Sequence, residues 1–195
     1  MKKALFLYFI FSNLFSSYCH AAGQDKNEGH QTKSKTEELI DISGIERYIF
    51  VGAASIKMPP EFVKMPEEML EIKHPDNERP SESWFIEKEH GKISLAFKLA
   101  NNNITEDQLP VLAEMMKKQL SVFSPKISSL MVNGNKAYRI EMVTPDGANP
   151  DGGIFNIMQL TSLEGKLFIA TFNTTEDLKD DYINTGISVL SSVTY

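Results

Sequence analysis

One helix-sized amphipathic segment running straight into two strands constrains this chain more than any other stretch. Between Thr105 and Thr144 the sequence reads TEDQLPVLAEMMKKQLSVFSP, then KISSLMVNG, then NKAYRIEMVT. Leu109, Leu112, Met116, Leu120 and Phe123 recur at steps of three and four, which puts them on one face of a helix. That face must lie on something apolar, and the flanking strands supply it. Thr105 and Gln108 have the spacing of a capping box. Pro110 would then be the fifth helical residue, where its missing amide hydrogen costs a bond, so a cap at Asp107 and a start near Gln108 is the better expectation. Pro125 marks the far end.

Strand signals follow the helix. Ile127 to Val132 and Lys136 to Thr144 form a hairpin around Asn133 and Gly134, a pair that readily adopts positive φ. In the second strand Tyr138, Ile140 and Met142 share a face opposite Arg139 and Glu141. The loop TPDGANPDGG leads into IFNIMQLTSL, a turn at Glu164 and Gly165, and KLFIATFN, whose nearly continuous apolar residues describe central strands covered on both sides. Leu178, Tyr182, Ile187 and Leu190 mark a closing helix, with Thr174 as its cap and Glu176 and Asp177 at the positive end of its dipole.

Upstream, Tyr48 to Val51 and Ser55 to Met58 read as strands stopped by Pro59 and Pro60. The acidic, proline-punctuated passage from Glu61 to Glu82 reads as a surface loop, with a short strand at Leu70 to Lys73. In KISLAFKL, Ile93, Leu95, Phe97 and Leu99 alternate with more polar residues, and Trp84 to Glu87 pairs with this strand through a turn at Glu89, His90 and Gly91.

The N-terminus has a different character. Lys2 and Lys3 precede an apolar core of about 12 residues and a small-residue exit, the plan of a secretory signal peptide over residues 1–21, cleaved after Ala21 or Ala22. A spanning helix needs about 20 apolar residues, so no transmembrane segment is expected after signal removal. Residues 22–44 form a flexible linker, because Gly23 to Glu38 contains no large apolar side chain to offset the entropy of ordering. Residues 45–195 form a single domain of ordinary size. The lone cysteine, Cys19, leaves with the signal, and the bulky Tyr18 before it argues against lipid attachment there. Without a thiol the domain is held by core packing, not by disulfides.

Removing the signal leaves 18 basic against 26 acidic residues, a net of −8. With no cluster of Lys or Arg to neutralise phosphates, nucleic acid is excluded as a partner, and a basic protein is the natural electrostatic complement. His74 and His90 sit in polar loops without neighbours suited to a metal and read as surface residues. No GxSxG, HExxH or phosphate-binding glycine loop occurs. Asp146, Asn149 and Asp151 lack the ligand alternation of a calcium loop and read as Pro/Gly turns. No catalytic, cofactor or metal site is therefore expected. The candidates for binding a partner are the acidic loop residues Glu67, Glu68, Glu71, Asp76 and Glu78, with Asp146, Asn149 and Asp151.

Strands joined by tight turns, with two separate helices, give an α+β fold: an antiparallel sheet with helices on both faces. The order of elements resembles the PsbP-like fold, an α/β/α sandwich, and within it the DcrB-like bacterial envelope proteins and related secretion-system chaperones and immunity proteins. The resemblance is carried by Ser55-Ile56-Lys57-Met58-Pro59, the helix Pro110 to Phe123, the hairpin Val132 to Arg139, and the terminal Val189-Leu190-Ser191-Ser192-Val193. It covers residues 45–195. It implies a non-catalytic binding protein of the periplasm, foremost an immunity-type inhibitor of a secreted toxin of the type VI secretion class. The alternative is an envelope maintenance protein or small-ligand carrier.

Overall fold

The computed structural model describes residues 44–74 and 79–195. The expected signal peptide, Cys19, the linker up to residue 43, and Asp76 and Glu78 lie outside the described residues.

The chain opens with a hairpin of β1 (Ile45–Ile49) and β2 (Ala54–Met58). Phe50 and Val51, expected to continue the strand, instead turn in the left-handed region at φ 53° and 57°, followed by Gly52 at 91°. The reversal needs positive φ and only one glycine is present to supply it. Two side chains therefore carry the strain, and the Phe50 ring recovers an edge contact on Phe168 at 5.5 Å. A short strand β3 (Phe62–Lys64) follows, and then helix α1 (Glu67–Lys73).

The expected strand at Leu70 to Lys73 is thus the second half of a helix. Pro66 occupies the N-cap position, Glu67 and Glu68 lie in the first turn, and the His74 amide closes on the Leu70 carbonyl. The alternation of Leu70 and Ile72 that reads as a strand has no sheet to serve, since Ile72 is exposed.

The rest builds one sheet: β4 (Glu82–Ile86), β5 (Ile93–Asn103), β6 (Lys126–Val132), β7 (Asn135–Pro145), β8 (Gly153–Leu163) and β9 (Lys166–Thr175). The strand order is β3-β4-β5-β9-β8-β7-β6, every pair antiparallel. The β6–β7 turn uses Asn133 and Gly134 at positive φ, as their identities require.

Helix α2 (Leu109–Gln119) begins differently from the expectation of a cap at Asp107. Thr105 and Gln108 do form the capping box, with the Thr105 amide donating to Gln108 Oε1 at 2.9 Å. Glu106–Gln108 is a 3-10 turn, so Pro110 falls in the first positions of the α-helix, where no amide hydrogen is needed. Phe123 lies beyond the helix in a second 3-10 turn. The last helix, α3 (Lys179–Ser191), is preceded by a 3-10 turn whose N-cap is Thr175, not Thr174, which is buried in β9.

The two helices lie on opposite faces. Against one face, α2 sets Leu109, Leu112, Met116 and Leu120 on Ile140, Met142, Met158, Leu160, Leu167 and Ile169. Against the other, α3 and the β1–β2 hairpin cover Leu95, Phe97, Phe155, Ile157, Phe168 and Phe172. Gly186 lets α3 approach closely: a Cβ there would stand 2.4 Å from the fully buried Phe172 ring. Gly186→Ala would gain about 1 kcal/mol of helix propensity and lose about 1–3 kcal/mol to overpacking of a ring that has nowhere to move. A lowered thermal midpoint is expected, measured by circular dichroism.

Candidate functional site

Helix α2 covers only part of its face, and the remainder is a cleft of about 470 Å³. Strand register orders its floor in rows. Ser94, Asn173 and Asn156 stand side by side near the rim; Ala96, Thr171 and Met158 form the next row; Lys98 and Ile169 lie deeper, toward α2. The floor therefore runs from polar at the rim to apolar inside. Phe123, packed against the cluster under α2, also lines it.

Two segments wall the cleft. On one side the end of α1 brings Ile72, Lys73 and His74, joined by the turn at His90, Gly91 and Lys92; on the other stands the β7–β8 loop from Pro145 to Ala148. Lys73 Nζ donates to the Gly91 carbonyl at 2.9 Å and ties α1 to that turn. His90 itself is left-handed, at φ 52°, which aims the turn back over the floor. In the floor, Asn156 Nδ2 donates to the Ile154 carbonyl at 2.7 Å and to Thr144 Oγ1 at 3.1 Å. Asn173 Oδ1 is buried without a hydrogen-bond partner.

Burial lowers the Lys73 pKa, an effect partly offset by the Asp146 carboxylate of the facing loop. Burial also pushes His74 down to about 4, reinforced by the Lys73 and Arg79 charges beside it. His74 is therefore neutral at pH 7.

The residues singled out for partner binding divide around this cleft. Glu67, Glu68 and Glu71 are exposed on α1, and Arg79 bridges Glu67 at 2.8 Å and Glu71 at 3.7 Å. Asp146 lines the cleft; Asn149 and Asp151 lie further out on the same loop. The turn reading of that loop is supported by its bonds: Asp146 Oδ1 accepts from the Ala148 amide at 2.8 Å, and the Gly152 amide donates to the Asn149 carbonyl at 3.0 Å. Among the described residues no group of three or more His, Cys, Asp or Glu is placed to hold a metal ion. His74 and His90, which read as ordinary surface residues, both line the cleft. Their loops are 16 positions apart in sequence and meet only because α1 folds back on the β4–β5 turn.

The rim is acidic. Where β9 ends and β5 begins, the β4–β5 turn brings Glu87 and Glu89, the start of α3 brings Glu176, Asp177, Asp180 and Asp181, and the β7–β8 loop adds Asp146 and Asp151. Lys92 pairs with Asp177 at 3.0 Å, and the Tyr182 hydroxyl donates to Glu89 at 2.9 Å.

No protein-family model matches the chain, and no curated protein matches it in sequence. Solved structures do. The solution structure of cyanobacterial PsbP (CyanoP) from Synechocystis sp. PCC 6803 superposes with a TM-score of 0.53 at 15% identity, covering 82% of this chain and 97% of that one. The Saccharomyces cerevisiae Ran-binding protein Mog1p gives 0.43 at 12% identity over 79% and 96% of the two chains. LpqN, involved in cell envelope biogenesis of Mycobacterium tuberculosis, gives 0.43 at 10% identity over 78% and 85%. The fold is PsbP-like, and at 15% identity the likeness to CyanoP shows the fold alone.

The depressed His74 pKa sets a pH dependence. Unfolded, the imidazole takes its proton near 6.5; folded, near 4. Between those values the unfolded chain binds more protons, so this contribution to stability is complete above about pH 6.5 and is lost as pH falls toward 4. A slope approaching about 1 kcal/mol per pH unit is expected in that window, measured by urea unfolding, and His74→Gln should flatten it.

Proposed function

We propose that this chain is an exported, non-catalytic binding protein: an immunity-type inhibitor that sits in the periplasm and neutralises a basic secreted toxin of the type VI secretion class. One observation carries the reading, namely the acidic rim formed by three loops at one end of the sheet. Eight carboxylates there, from Glu87 to Asp181, are offset by Lys88, Lys92 and Lys179. A rigid sheet presenting such a rim suits a cationic surface, because complementary charge speeds encounter and excludes wrong partners. The loops would occlude the toxin's active site as a plug, which requires no chemistry of the inhibitor itself. Among the described residues no helix is long and apolar enough to cross a membrane.

A second reading, a DcrB-like envelope maintenance protein or small-ligand carrier, is favoured by the cleft, whose volume falls within the range of small-molecule sites. Capture of the tagged chain from periplasm separates the two. The inhibitor reading expects one stoichiometric basic protein, with association slowed roughly tenfold at low salt by Asp146→Lys combined with Asp151→Lys and little changed at high salt. Recovery of lipid or another small molecule with no protein partner would overturn it.

A further inference from the structure

An open sheet has two edges, and this one guards them unequally. At one edge β3 has three residues and is set between Pro60 and Pro66, which keeps another chain from pairing there. The small two-stranded sheet leaves β1 open, but the middle of that strand carries Glu46 and Arg47. The far edge of the large sheet is β6, and it has none of these protections. It runs for seven residues without a proline, keeps an unbroken register against β7, and carries one charge, Lys126, at its first residue. Among the described residues only β7 pairs with it, so every second residue turns its amide and carbonyl outward.

The strand is also complementary to itself. A second β6, antiparallel to the first and overlapping it over all seven residues, puts a twofold axis at Ser129. Ser129 then faces its own counterpart, Ile127 faces Met131 of the other copy, Ser128 faces Leu130, and Lys126 faces Val132. Ile127 packs against the cluster under α2, and Ser129 and Met131 share its face by alternation. Met131, 45% exposed in one copy, is covered by Ile127 of the other. The two Lys126 side chains stand six positions apart along the strand, about 20 Å at 3.4 Å per residue, so no like charges meet. The same full overlap of β1 would set Arg47 against Arg47, which disfavours it. Antiparallel pairing of β6 also sends the two acidic rims to opposite ends of the joined sheet, because each rim lies where β5 begins and β9 ends.

We infer that β6 is a self-association edge, on which a second copy of this chain lays its own β6 antiparallel about Ser129, giving a symmetric dimer with one sheet continuous through both copies. None of the rim carboxylates lies on β6, so the inference goes beyond the toxin-inhibitor reading and does not depend on it. A monomer that captures a toxin loses only this inference. A dimer that captures none loses only that reading.

Sedimentation equilibrium of the purified chain provides the test, with amide hydrogen exchange to locate the contact. One strand pair and its flanking side chains lie at the small end of specific interfaces, so a dissociation constant of about 10–100 μM is expected. Exchange in β6 should slow as concentration rises through that range, while β1 and β3 stay unchanged. Ser129→Lys sets two ammonium groups directly across the twofold axis and should weaken dimerisation roughly tenfold or more, with the circular dichroism spectrum retained. Met131→Lys, at a side chain already exposed, should weaken it as well, and Tyr48→Lys on β1 should leave it unchanged. Four results would each overturn the proposal: a chain still monomeric at about ten times the upper concentration, a dimer indifferent to both β6 substitutions, concentration-dependent protection at β1 or β3 in place of β6, or β6 amides equally protected at every concentration, as when residues 1–43 cover the edge.

Discussion

A sheet has two faces to bury, and this chain covers them unequally. Helix α2 has 11 residues, a length of about 16 Å at 1.5 Å per residue. The strands β5, β7 and β8 beneath it also have 11 residues each, about 37 Å at 3.4 Å per residue. One short helix cannot roof strands of that length, and the cleft is the unroofed remainder. The other face is covered by α3 and also by the β1–β2 hairpin.

Position of the roof on that second face depends on a polar clasp. Arg139, only 2% exposed, donates from Nε to Gln159 Oε1 at 3.0 Å and from the guanidinium to Ser191 Oγ at 2.6 Å. Gln159 Nε2 in turn donates to the Leu190 carbonyl at 2.9 Å. The bonds join two neighbouring strands to the last turn of α3, where carbonyls lack helical partners and a cation is favoured by the dipole. Apolar packing of Val189 and Leu190 supplies attraction without direction; the clasp supplies direction. With α3 held there, its acidic N-terminal turn is delivered to the rim beside the β4–β5 turn.

Electrostatics at the cleft follow from the same geometry. Folding α1 against the β4–β5 turn half-buries Lys73 and His74 together. Asp146, on a separate loop, is the compensating charge. The acidic rim draws on two separate stretches, Glu87 and Glu89 on one side and 146–181 on the other, and neither stretch read alone describes it.

Much of the architecture was legible in the sequence because periodicity is a local property. The alternation of Ile93, Leu95, Phe97 and Leu99, the Asn133-Gly134 turn, the helical steps from Leu109 to Leu120 and the near-continuous apolar runs of β8 and β9 all recur in the fold. Local reading failed where two signals competed: Leu70 and Ile72 alternate like a strand but follow a proline and two glutamates that start a helix, and Pro110 was reconciled with the Thr105 cap by a 3-10 turn. The acidic loops were legible as candidate surfaces, since exposed charge needs no fold to be recognised. What only the tertiary structure decided is the cleft. His74, His90, Lys73, Asn156 and Asn173 are spread over a hundred positions and carry no motif. They converge because strand register aligns β5, β9 and β8 and because α2 is too short to cover what that alignment exposes.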